Sequence, residues 1–61
     1  MNTTEFNNQY PPGTPVIYVD DFGKETHTNT RSIAWDVYGT AVVKIEGKAG
    51  GVALERVNPC R

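Results

Sequence analysis

Ala41-Val42-Val43-Lys44-Ile45-Glu46, then Gly47-Lys48-Ala49-Gly50-Gly51, then Val52-Ala53-Leu54-Glu55-Arg56-Val57, is the stretch that decides the fold. Two apolar-alternating runs around a glycine-rich pentapeptide read as a β-hairpin. Side chains alternate across a strand, so Val43 and Ile45 share one face and Val42, Lys44 and Glu46 the other. Val43 and Ile45 are expected in the core. In the second run Val52 and Leu54 point inward and Ala53 and Glu55 outward, Val57 tucks under the sheet, and Asn58-Pro59 ends it. Ala53 to Arg56 are all good helix formers, so residues 52–57 also admit a short helix. The missing cap and Gly50-Gly51 favour the strand.

Upstream, Asp36-Val37-Tyr38-Gly39-Thr40 reads as a break before the hairpin. From Glu25 to Trp35, Thr26, Thr28, Thr30 and Ser32 fall on one face of an extended chain and His27, Asn29, Arg31 and Ile33 on the other. The run of β-branched threonines disfavours a helix. Both faces stay polar until Ile33, which leaves two readings open, an exposed paired strand or one arm of a long loop. Asp20 to Lys24 is a turn with Gly23 at positive φ, and Val16-Ile17-Tyr18-Val19 is a first strand opened by Pro15. Residues 1–12, rich in Asn and Thr, are expected to be a flexible tail.

At 61 residues there is room for one domain, which buries only about 60% of the surface its unfolded chain exposes. An apolar fraction of 38% with a single Trp supports one small core and leaves little for a deep catalytic cleft. Six Lys and Arg against seven Asp and Glu give a net charge of −1, so no long-range field favours nucleic acid or anionic lipid. The lone cysteine, Cys60, makes no internal disulfide, which fits a reducing cytoplasm. No run approaches the length of a membrane span, and the first residues lack the pattern of a signal peptide.

These features predict an all-β domain over residues 13–61, a small SH3-like barrel of about five short strands. Its expected core is Val16, Tyr18, Ile33, Trp35, Val43, Ile45, Val52, Leu54 and Val57. So small a barrel is also compatible with a homodimer.

Gly47-Lys48-Ala49-Gly50 matches the Gly-x-x-Gly loop of KH domains, but that loop joins two helices and this one follows a β-branched run. It also lacks the Lys-Ser/Thr pair of a phosphate-binding loop. His27 with Asp20, Asp21 and Glu25 has no second His or thiol at ligand spacing, so no metal or other cofactor is expected. Ser32, His27 and Asp36 are triad letters that alternate along one strand and do not converge, so no catalytic residue is assigned and the chain is not expected to be an enzyme. The remaining cluster is Arg31 and Trp35 with Tyr18 and Tyr38, because Arg, Trp and Tyr anchor interfaces. With Lys24 and His27 these form the expected partner-binding set. Two other readings stand beside it: Trp35 and Tyr18 as core residues, and Arg31 as a charge guarding an edge strand.

Thr30-Arg31-Ser32, Ala34-Trp35, Gly39, Val42 to Gly47 and Gly50 to Leu54 together resemble small uncharacterised proteins encoded by bacteriophages and prophages, over residues 13 to 59. That resemblance implies a bacterial host cytoplasm and an accessory role, binding a host or phage protein to modulate it. Ala53-Leu54-Glu55-Arg56-Val57-Asn58 is similar to the closing strand of the type II dihydrofolate reductases, which are also SH3-like barrels. Their pore segment Val-Gln-Ile-Tyr is missing, since Ile45-Glu46-Gly47-Lys48 stands in its place. This likeness supports the barrel and argues against the activity. The alternative function is nucleic-acid binding through Lys24, Arg31, Lys44 and Lys48.

Overall fold

Val16 to Val19 does form a strand, β1 (Pro15–Val19), and it is the centre of a sheet. The computed structural model describes residues 2–59, so Cys60 lies outside the described residues. β1 pairs antiparallel with β2 (Glu25–Asn29) on one side and with the last strand, β6 (Val57–Pro59), on the other. The β1–β2 turn places Gly23 at φ 77, and the Asp20 carboxylate accepts the backbone N–H groups of Phe22 and Lys24. A second antiparallel sheet runs β3 (Trp35–Val37), β4 (Thr40–Lys44), β5 (Gly51–Ala53). The expected hairpin is therefore present, with Val43 opposite Val52 and Val42 opposite Ala53. The all-β expectation holds at this level, with six strands among the described residues, and the barrel is not closed.

The polar arm from Glu25 to Trp35 resolves into a paired strand that changes sheets. Residues 25–29 pair with β1; a bridge then joins Thr30 to Ile45, flanked by hydrogen bonds from the Arg31 N–H to the Lys44 carbonyl and from the Glu46 N–H to the Asn29 carbonyl. Residues 31–34 leave the ladder before β3 resumes it against β4. This corner explains why Thr30, a polar residue, is buried. Its hydroxyl accepts the Gly13 N–H at 3.1 Å and donates to the Pro11 carbonyl at 3.4 Å, which ties the Pro11–Thr14 turn to the corner. Thr30→Val keeps the shape and removes both bonds, so a loss of about 1 to 2 kcal/mol is expected in urea unfolding. An unchanged midpoint would show that the hydroxyl does not hold the corner.

Several expectations need correction. Residues 1–12 contain a helix, α1 (Thr3–Gln9), where a flexible tail was expected. Asn2 caps it by accepting the Glu5 N–H at 2.8 Å, and Phe6 and Tyr10, one turn apart, stack with ring centroids 5.2 Å apart. Phe6 is 1% exposed and belongs to the core with Val16, Ala34, Val43, Ile45, Leu54 and Val57. Ile33, expected in that core, is 58% exposed because it shares the outer face with Asn29 and Arg31, while Thr30 and Ala34 take the inner one. Tyr18 and Val52 are partly buried and pack against this core as expected, whereas Trp35 is partly buried and does not join it. Residues 52–57 are neither one strand nor a short α-helix: β5 ends at Ala53, Leu54–Arg56 make a 3-10 turn, and the chain crosses to the first sheet. Asn58 and Pro59 do not end the sheet; they extend β6 along β1, at an edge where proline's missing N–H is tolerated. Among the described residues no helix is long and apolar enough to cross a membrane.

Candidate functional site

The β3–β4 hairpin turns at Tyr38-Gly39, with Val37 paired to Thr40 and both turn residues at positive φ, 50° and 81°. A two-residue turn of this hand suits the twist of the strands, and Asn-Gly is its usual sequence. Tyrosine in the left-handed region is a strained choice. Its side chain gains no contact in return, being 104% exposed. Val37, one residue back, is 40% exposed, and Ile33 follows at 58%.

Trp35 links this strand to the sheet behind it. It pairs with Val42, which pairs with Ala53, so the three side chains make one row across the sheet. Val43 and Val52 occupy the buried face, which puts the Trp35 row on the outer one. The indole reaches across Val42 to β5: a Cβ on Gly51 would lie 3.2 Å from the ring carbon Cη2. Trp35 therefore covers the outer face and is not part of the interior cluster.

The other expected site residues are distributed around the molecule. Arg31 is neither a free edge charge nor part of the Trp35 face. Its Nε donates to the Ile45 carbonyl at 3.1 Å and Nη2 to the Lys48 carbonyl at 2.8 Å, which staples the loop between β4 and β5. Lys48 in turn places its ammonium 5.2 Å from the centroid of the Tyr18 ring. Tyr18, Lys48 and Arg31 thus form one chain of contacts that orders residues 45–50. His27 is exposed opposite Ile17 on β2, and Lys24 is exposed in the β1–β2 turn. The structure brings Trp35 and Tyr38 together on one hairpin and leaves Lys24 and His27 apart from them. Val37 and Ile33 were missed as surface residues, Val37 because it was placed in a break and Ile33 because it was placed in the core.

A groove of about 580 Å³ opens where the two sheets do not meet, lined by Phe6, Ala41, Leu54, Val57 and Pro59 with Glu55 and Asn58 at its margin. The β6 edge beside it offers few donors, since Pro59 has no N–H and the Val57 N–H is bonded to the Leu54 carbonyl. Ser32 Oγ donates to the Ile33 carbonyl and accepts the Lys44 N–H, and Asp36 accepts the Thr3 hydroxyl. Among the described residues no three His, Cys, Asp or Glu side chains gather to hold a metal ion. One ion pair joins Arg56 to Asp21 at 2.7 Å, with the aspartate side chain 79% exposed. A scan against protein-family models finds no match, and searches of curated proteins and of solved structures find none.

Proposed function

We propose that the chain is an SH3-like barrel acting as a non-enzymatic docking module, and that a protein partner contacts the β3–β4 hairpin through Trp35, Val37 and Tyr38 with Ile33 at the margin. The element order supports the barrel: β1 between β2 and β6, a corner shared by both sheets, and a 3-10 turn before the closing strand. The observation that carries the docking reading is Tyr38, a fully exposed aromatic held in left-handed backbone at a hairpin tip. Folding gains nothing from it, and strain of this kind is kept where a surface is used. Aromatic anchors beside aliphatic side chains are the usual centre of protein interfaces. The likeness to phage-encoded proteins adds to the same proposal a bacterial cytoplasm and a host or phage protein as the partner.

Tyr38→Asn separates docking from folding. Asparagine accepts the left-handed conformation, so the variant is expected to be more stable by about 1 kcal/mol, a rise of about 4 to 8 °C in Tm. A photo-crosslinker at Val37 should capture a bacterial protein with the native chain and lose it with Tyr38→Asn. The same adduct at the same yield from both chains would defeat the assignment of the site.

A further inference from the structure

β3 is the outer strand of its sheet, and α1 covers that edge. The Asn7 amide takes both main-chain groups of Ala34, Oδ1 accepting the N–H at 2.8 Å and Nδ2 donating to the carbonyl at 3.0 Å, and the Thr3 hydroxyl donates to Asp36 Oδ1 at 2.8 Å. Strand addition is closed there, so a partner of the hairpin meets side chains on the outer face. Those side chains are graded along the strands. Val37 and Thr40 make one row, Trp35, Val42 and Ala53 the next, and Lys44 with Gly51 the third, each about 7 Å from its neighbour. The indole crosses Val42 and ends over Gly51, in the row of Lys44, so an apolar surface runs directly up to a cation. Arg31 and Ile33 fall on the same side as Trp35 and are exposed. Arg31 spends two of its five N–H groups on the Ile45 and Lys48 carbonyls and keeps its charge. No Asp or Glu stands in the three rows, and Glu46, beyond Lys44, is exposed and makes no ion pair with Lys44 or Arg31. The chain as a whole carries −1, so the positive sign of this face is local.

We propose that the segment docked on this face is acidic: a stretch of the partner protein whose apolar side chains cover Val37 and Trp35 and whose Asp or Glu reaches Lys44 and Arg31. The inference rests on the docking reading of the hairpin and names the partner's chemistry. Charge complementarity argues for it. A carboxylate set beside the indole meets Lys44 where Trp35 and Ile33 exclude part of the water, and a charge pair counts for more there than on an open surface. A single-stranded nucleic acid would ask for a longer run of cations beside the ring. Lys48 instead turns its ammonium to Tyr18, 5.2 Å from the ring centroid, and Lys24 sits in the β1–β2 turn.

Selection from a displayed library of random peptides against the full chain tests this. The enriched peptides are expected to carry Asp or Glu beside an apolar pair and to crosslink at Val37. For such a peptide Lys44→Glu is expected to weaken binding about tenfold or more and Glu46→Gln to tighten it, two changes of opposite sign that a loss of fold would not give. If Lys44→Glu loses amide protection at Val43, Lys44→Met, which keeps the stem and drops the charge, is read by the same criteria. Enriched peptides without an acidic bias, an affinity indifferent to Lys44, or no enriched peptide at all overturns the proposal. So does oligothymidylate that quenches Trp35 fluorescence and displaces the peptides from Val37. Peptides without acidic residues that still crosslink at Val37 and are lost with Tyr38→Asn would retain the docking reading while the acidic partner is ruled out. Acidic peptides that crosslink nowhere on the hairpin would remove both.

Discussion

Phe6→Ala is expected to remove about 3 to 5 kcal/mol, the cost of emptying a fully buried phenylalanine site. A domain of this length has about 3 to 9 kcal/mol in total, so the variant should be largely unfolded at 37 °C. The effect reaches beyond the lost side chain. Phe6 is the residue of α1 that enters the core, and without it the Asn7 and Thr3 bonds must hold a short helix unaided. Tyr10 loses its ring partner and the groove below gains volume. Phe6→Leu keeps most of the volume and should cost clearly less. Urea titration followed by Trp35 fluorescence and by far-ultraviolet circular dichroism reads both variants. A Phe6→Ala midpoint close to the native one would show that α1 does not dock.

That prediction concerns the segment whose sequence was hardest to read. Residues 1–12 hold one phenylalanine among Asn, Thr and Gln, a composition that argues for disorder. The signals for order were local and small: Asn2 three residues before Glu5, as in a capping box, and Phe6 four residues before Tyr10. By contrast β1, β4 and β5 were legible because a strand with one face buried and one face wet imposes a two-residue period that turns and helices do not share. Val43 and Ile45 are buried as the alternation requires, and Glu46 is exposed.

Alternation held through the corner, and the choice of face failed. Thr28, Thr30, Ser32 and Ala34 are the more buried set while His27, Asn29, Arg31 and Ile33 are exposed, so the threonine face turned inward and Ile33, the apolar residue of the other face, turned outward. No local residue marks that corner; it exists because Thr30 meets Ile45 from another part of the chain. The same holds for the candidate site. Tyr38 and Trp35 could be nominated by residue type, but the left-handed turn at Tyr38 lacks the Asn-Gly signal, and the outward direction of Trp35 depends on which face Val43 and Val52 fill. Arg31 was nominated by type as well, and its two bonds to main-chain carbonyls give it a structural task instead.

Residues 52–57 yield the second large effect, and their substitution pattern tells a crossing from a strand. In a continuous strand Val52, Leu54 and Arg56 would share the inner face, and Val57 would point out. A 3-10 turn has three residues per turn, so Leu54 and Val57 fall on one side, and both are buried. Leu54→Ala is expected to cost about 2 to 5 kcal/mol, because the side chain fills the space between the sheets where the chain crosses. Val57→Ala should cost less, about 1 to 3 kcal/mol, for fewer buried carbons. Glu55→Ala and Arg56→Ala are expected near zero to about 1 kcal/mol: Glu55 is exposed, and the Arg56 pairing with Asp21 is largely solvated. Urea unfolding of the four variants gives the pattern directly. Large losses at Leu54 and Val57 with small ones at Glu55 and Arg56 fit the crossing, whereas a large loss at Arg56 with a small one at Val57 would require a strand running on past Ala53.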